Sequence, residues 1–213
     1  MRATYRYGDL RRALLEAGVE LAREGGPDAV VLREATRRVG VVPNAAYRHF
    51  AGREDLLEAV RASALAALAI AMDTELAAAA RGGRSPRPSP QQAARDSLRA
   101  VGTAYLRFAL AETGLFRTAF SVPAAVEGDR DPAKAGGSGR NPFQLLGDAL
   151  DLMVAAAILP PEQRPGAEYL AWSAVHGLAV LLIYGPLKGA GTKRTEDLGQ
   201  RLLDMVERGL QQD

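Results

Sequence analysis

Apolar residues recur at helical spacing through almost all of this 213-residue chain, and no stretch alternates with period two. That pattern confines the chain to an all-α fold. Leu10, Leu14, Ala17 and Leu21 line one side of a first helix. Gly25-Gly26-Pro27 ends it, because glycine accepts a left-handed cap and proline blocks continuation. Leu32, Ala35 and Val39 fit a short second helix closed by Gly40, and Pro43 is suited to open a short third. After Phe50, Ala51-Gly52 breaks the chain. A long helix is then predicted from about Arg53 to Ala80, with Leu57, Val60, Ala64, Leu68 and Met72 on one side. Arg81 to Pro90, dense in Gly, Ser and Pro, reads as a loop. Leu98, Val101, Tyr105 and Phe108 mark a fifth helix. Glu127 to Pro142, rich in Gly, Asp and Pro, is expected to be mobile. Further helices are predicted at about Phe143–Ile158, Glu162–Tyr184 and Thr195–Gln211.

Composition removes several classes of chemistry. Apolar residues make up 47% and charged residues 24%, enough for an ordinary globular core. The absence of cysteine excludes a disulfide framework, a zinc finger and a thiol nucleophile. His49 and His176 are the only histidines, so a histidine-built metal site is not expected. Neither Gly-x-Ser-x-Gly nor Gly-x-x-x-x-Gly-Lys occurs, and no cofactor or catalytic residue is expected. Acidic pairs such as Glu127 and Asp129 fall in the segment expected to be mobile, where no fixed geometry would tune a pKa. The purest apolar run, Ala64 to Met72, is far shorter than the roughly 20 residues a membrane span requires. The opening Met-Arg-Ala-Thr-Tyr-Arg-Tyr-Gly-Asp has no apolar core of a secretory signal. The expectation is a soluble, cytoplasmic protein that does not engage a membrane.

Val31 to Leu57 is the informative segment. Short helices joined by the turn Val39-Gly40-Val41-Val42-Pro43 meet the requirements of a helix-turn-helix, with Gly40 permitting the reversal and Val41 placed to plug the core. From Val31 to Arg53, the basic residues Arg33, Arg37, Arg38, Arg48 and Arg53 face a single acidic residue, Glu34. The whole chain carries only +2, so this local cluster bears the argument for a polyanionic partner. Tyr47 and His49 add groups that bond phosphate oxygens. Since 24 of the 27 basic residues are arginine, a solvated face of a helical bundle is the competing reading.

Arg33-Glu34-Ala35 through Gly40-Val41, then Tyr47-Arg48-His49-Phe50 and Arg53-Glu54-Asp55-Leu56-Leu57, resembles the DNA-binding domain of the tetracycline-repressor (TetR) family. Tyr7-Gly8-Asp9-Leu10-Arg11 and Trp172-Ser173-Ala174-Val175-His176-Gly177 resemble one branch, whose carboxy-terminal domain is named for a Trp-His-Gly motif. The resemblance implies residues 1–62 as the helix-turn-helix domain and 63–213 as a helical effector-binding and dimerisation domain. It implies DNA contacts from Arg33, Pro43, Asn44, Ala45, Tyr47, Arg48, His49 and Arg53, with Pro43, Asn44 and Ala45 opening the recognition helix. Arg48 is open to either groove wall or solvent. Two departures stand out. Val42 replaces the common serine or threonine and cannot cap, and Thr36 replaces a small apolar residue, which is tolerable if its hydroxyl bonds the backbone.

The penultimate helix is apolar on two sides, with Tyr169, Trp172, His176, Ala179 and Ile183 on one and Leu170, Ala174, Leu178 and Leu181 on the other. The last helix repeats this with Leu198, Leu202 and Met205 beside Leu203, Val206 and Leu210. Burial in one subunit's core would produce the same pattern as a homodimer interface built on Ala174, Leu178, Leu181, Leu202, Val206 and Leu210. The resemblance implies the latter. Tyr105, Phe108, Phe116, Phe120, Trp172 and His176 are candidates for the pocket of a small, largely apolar effector, or equally plain core. The function expected is a ligand-responsive repressor, dimeric on a pseudo-palindromic operator. An effector-independent architectural DNA-binding protein is the alternative.

Overall fold

The computed structural model describes residues 7–82, 88–123 and 125–210. Its described residues form α-helices and short 3-10 turns, with no strand among them. The helices are α1 (Tyr7–Gly25), α2 (Leu32–Val39), α3 (Pro43–Ala46), α4 (Arg53–Gly82), α5 (Pro90–Ala111), α6 (Thr113–Ala119), α7 (Pro142–Ala155), α8 (Ala167–Ile183) and α9 (Thr192–Gly209). The chain divides into two compact units, Met1–Ala67 with Glu112–Lys134, and Leu68–Ala111 with Ala135–Asp213. Helix α4 thus supplies its first half to one unit and its second half to the other.

The first unit is organised around Leu14, Ala22, Val30, Ala35, Ala46, Phe50, Leu56 and Val60, all withdrawn from water. Full burial of Phe50 alone contributes about 1.5–3 kcal/mol by apolar area. Gly18 lets α1 lie close to α4, since a Cβ there would stand 2.8 Å from Val60 Cγ2. Gly26 turns the chain out of α1 at φ 75°, its N–H donating to the Ala22 carbonyl at 2.7 Å. The unit is completed by α6. Gly114 meets the end of α1 so closely that a Cβ would lie 2.2 Å from the Ala22 oxygen and 2.3 Å from that of Arg23. Beside it, Arg23 Nε donates to Glu112 at 2.7 Å.

In the second unit α5 packs against α7, α8 and α9. Val101, Ala104, Tyr105, Phe108 and Ala109 are among its buried residues. Gly102 receives Leu203 of α9, and Arg95 pairs with Glu207 at 2.7 Å alongside. A capping box starts α7: the Asn141 side chain accepts from the Gln144 N–H at 2.9 Å, and Gln144 Oε1 accepts from the Asn141 N–H at 3.0 Å.

Several helix ends move from their sequence positions. Arg81 and Gly82 still belong to α4, Pro90 already opens α5, and residues 83–87 of the expected loop lie outside the described residues. The penultimate helix begins at Ala167, because Pro165 and the left-handed Gly166 (φ 78°) separate it from a 3-10 turn at Pro161–Gln163. The last helix begins earlier, at Thr192. Glu127–Pro142, expected to be mobile, carries a 3-10 turn at Pro132–Lys134 and a half-buried Lys134–Asp129 ion pair of 2.8 Å. The Ser138 N–H donates to Asp73 at 3.0 Å. That ion pair holds the Asp129 carboxyl below the ordinary range.

Candidate functional site

The helix-turn-helix is closed by backbone geometry. Gly40 takes the left-handed conformation at φ 77°, donating to the carbonyls of Thr36 (2.9 Å) and Arg37 (3.2 Å), and the Val41 N–H donates to Thr36 at 3.0 Å. This is a glycine helix stop, and any Cβ there would be strained. The buried Thr36 hydroxyl donates to the Arg33 carbonyl at 2.7 Å, so the unusual threonine is satisfied. Val41 is only half-buried, and the inward plugs are Ala46 and Phe50, both fully buried. Pro43 occupies the first position of α3, and Val42 before it makes no side-chain cap. The Asp55 carboxylate accepts the Ala51 N–H at 2.9 Å and fixes the turn into α4.

With Ala46 and Phe50 turned inward, the other residues of this stretch are left outward. Arg33, Pro43, Asn44, Tyr47 and Arg48 are exposed, whereas Ala45, His49 and Arg53 are half-buried. The arginine cluster is less uniform than its sequence. Arg37 makes two hydrogen bonds to Glu34, at 2.9 and 2.6 Å. Arg38 makes two to Glu24 of α1, at 2.9 and 2.6 Å. These contacts hold both carboxyls below the ordinary glutamate range, so they stay ionised and neutralise the two guanidiniums. Arg33, Arg48 and Arg53 are the other basic residues of this segment. Arg53 Nη2 also donates to the Pro27 carbonyl at 3.0 Å, and Nη1 to Glu54 at 3.2 Å. Nothing in the sequence signals this, since Pro27 and Glu24 meet their partners only once α1 is folded. Arg11 lies over the Phe50 ring at 5.0 Å. Arg61, nearly buried on α4, pairs with Glu58 and donates to the Val122 carbonyl at 3.3 Å.

The second unit brings three of the candidate pocket residues together. Trp172 Nε1 donates to the Tyr105 oxygen at 3.0 Å, and that hydroxyl lies 2.6 Å from His176 Nδ1. Burial pushes the Tyr105 phenol far above its usual range and the His176 imidazole below its own. The phenol thus remains a donor, and a neutral imidazole accepts at Nδ1. Phe143 extends the aromatic group, with ring centroids 5.6 Å from Tyr169 and 6.3 Å from Trp172. Phe108 is buried on α5. Phe116 and Phe120 instead pack against each other within the first unit, their rings tilted by 59° with centroids 5.1 Å apart.

On α8 the buried stripe is Ala171, Val175, Ala179, Leu182 and Ile183. The opposite side exposes Leu170 (66%), Leu181 (44%) and Tyr184 (55%), with Ala174 and Leu178 half-buried. On α9, Gly199 and Leu203 are buried, Leu202 and Val206 are half-buried, and Met205 is 56% exposed. Leu210 is buried within its own chain. Among the described residues, no helix is long and apolar enough to cross a membrane.

Comparison with known proteins covers both units. Residues 14–60 match the family model described as bacterial regulatory proteins, tetR family, and residues 98–206 match the tetracyclin repressor-like C-terminal domain. A protein of unknown function from Rhodococcus sp. RHA1 is 27% identical with a TM-score of 0.70, covering 98% of each chain. A TetR family transcription regulator from Marinobacter aquaeolei VT8 shares the fold at 20% identity and TM-score 0.58, over 92% of this chain and 94% of that one. A TetR variant from Acinetobacter baumannii AYE, solved in complex with minocycline, shares it at 16% identity and TM-score 0.55, over 92% and 93%. No curated protein matches the chain.

Proposed function

The chain belongs to the tetR family of bacterial regulatory proteins, and from that premise we propose that it is a ligand-responsive repressor, acting as a cytoplasmic homodimer on a pseudo-palindromic DNA operator. The observation that carries the reading is the outward set Arg33, Pro43, Asn44, Tyr47 and Arg48 around a motif whose inward face is closed by Ala46 and Phe50. Within the reading head, residues 1–62, Tyr47, His49, Arg33 and Arg53 hold phosphates, which supplies affinity without sequence information. Pro43, Asn44 and Ala45 lie along base edges in the major groove, and Arg48 flanks them. Residues 63–213 bind the effector and the second subunit.

The effector set is Tyr105, Phe108, Trp172 and His176, apolar rings with one ordered hydrogen-bond chain, a composition suited to a small and largely apolar molecule. Minocycline in the Acinetobacter relative supports a ligand-binding role for this fold. Nothing in the chemistry of these residues calls for catalysis.

Selection of binding sites from random duplexes with the full-length protein tests the reading. The expected result is a two-fold symmetric motif, lost in part on Asn44→Ala and bound more weakly on Tyr47→Phe with the motif unchanged. Selection that enriches no sequence would overturn it. A metabolite panel read by thermal unfolding tests the ligand, because a molecule that binds the folded state alone raises the midpoint.

A further inference from the structure

Both helices of the motif are preceded by a valine, Val31 before α2 and Val42 before α3, and neither side chain caps its helix. Both are exposed, at 40% and 57%. Val42 carries two costs together. A hydroxyl or carboxamide side chain in its place would accept a backbone N–H, and a branched apolar group stands in water. Packing does not require it, because Ala46 and Phe50 fill the space beneath the motif. Pro43 at the first position of α3 already presets the turn. Isolated exposed valines elsewhere on a surface call for no explanation. This one adjoins Pro43 and Asn44, both exposed, on the same motif as Arg33, Tyr47 and Arg48. It is an apolar spot on a face whose charge suits a polyanion.

Double-stranded DNA offers one apolar feature on its base edges in the major groove, the 5-methyl group of a pyrimidine. Resting on the DNA-binding reading above, we propose that Val42 is a specificity-determining residue whose methyl groups pack against the 5-methyl of a thymine in each operator half-site. A serine or threonine there would cap the helix and donate to phosphate, but would discriminate the methyl weakly. Valine exchanges that contact for base discrimination. The same chemistry is presented by 5-methylcytosine, so the test separates the two.

The experiment uses the full-length protein and the operator recovered by selection. Each thymine of a half-site is replaced in turn by deoxyuridine, which removes the methyl and nothing else, and cytosines are replaced separately by 5-methylcytosine. Wild type is expected to lose affinity about threefold to fivefold at one thymine per half-site, the effect of one buried methyl. Val42→Ala should bind thymine and deoxyuridine operators equally at that position. Val42→Thr, nearly the same shape, keeps the motif folded if alanine does not, and should retain part of the discrimination. Circular dichroism and hydrogen exchange in α1 and α2 report folding. Indifference to deoxyuridine at every position, or an equal loss in wild type and Val42→Ala, overturns the proposal while leaving sequence-specific binding intact. A Val42-dependent gain from 5-methylcytosine with no responsive thymine overturns the assignment to thymine. Selection that returns no motif fails the underlying reading, and this proposal with it.

Discussion

Arg53 shows how one side chain serves fold and function together. Its guanidinium donates to the Pro27 carbonyl and to Glu54, and its side chain remains 40% exposed at the start of α4. Arg53→Ala is therefore expected to weaken binding to all DNA sequences, to flatten the salt dependence, and to lower stability by about 1 kcal/mol through the lost bond to Pro27. Urea unfolding and a salt titration of DNA affinity check the two effects separately. Arg53→Lys should keep most of the salt slope and lose the stability. His176 supports a prediction about protons. Its folded pKa lies below the ordinary 6.5 because burial disfavours the cation. The unfolded chain therefore binds more protons just below that value. Stability from the neutral imidazole is complete above about pH 6.5 and falls with pH until the folded pKa is passed. Stability measured between pH 7.5 and about 5 should decline in wild type and be flatter in His176→Gln; identical curves would refute the assignment. At this scale the sequence disclosed what is local. The Thr36 hydroxyl bonds three residues back and Val42 leaves its helix uncapped, as their types and positions imply. The partners of Arg38 and Arg53 were hidden, because Glu24 and Pro27 approach them only through the packing of α1.

Helices were legible wherever apolar periodicity ran unbroken, as in α1, α2 and α5, and their ends shifted where backbone geometry overrode it. Pro165-Gly166 delays α8, and the half-buried Lys134–Asp129 pair gives structure to a segment whose composition suggested none. Least legible was the addition of Glu112–Lys134 to the unit that holds the helix-turn-helix, a pairing more than eighty residues apart in sequence. Its basis is Gly114, where the carbonyls of Ala22 and Arg23 leave no room for a side chain. Backbone oxygens cannot move aside as a flexible side-chain end would. Gly114→Val is expected to destabilise the first unit by about 3 kcal/mol or more, at the upper end for overpacking. Hydrogen exchange should quicken in α1 and α2, and DNA affinity should fall. Trp172, the sole tryptophan, lies in the second unit and should keep its emission spectrum. Unchanged exchange in α1 would mean the close contact is not a constraint.

At the scale of the whole molecule, the proposed operator symmetry demands two reading heads, and the apolar side of α8 and α9 is where a second copy is expected to sit. Leu170, Leu181, Tyr184 and Met205 are each more than 40% exposed, while the opposite stripe of the same helices is already committed to the core. Gly177, exposed on α8 with open space around its Cα, allows a partner helix to come close. In a two-fold interface every residue occurs twice, so one substitution places two unpaired charges in the same apolar seam. Met205→Glu and Leu170→Arg are each expected to convert a dimer into a monomer at micromolar concentration in sedimentation equilibrium. Single subunits would still recognise half a site. Half-sites one helical turn apart, about 34–36 Å, are bound together only by linked heads, so the full operator should lose affinity by about 100-fold or more. Affinity for an isolated half-site should change little, which separates loss of pairing from loss of the reading head. A Met205→Glu protein that stays dimeric and binds the full operator as wild type does would move the subunit contact away from α8 and α9.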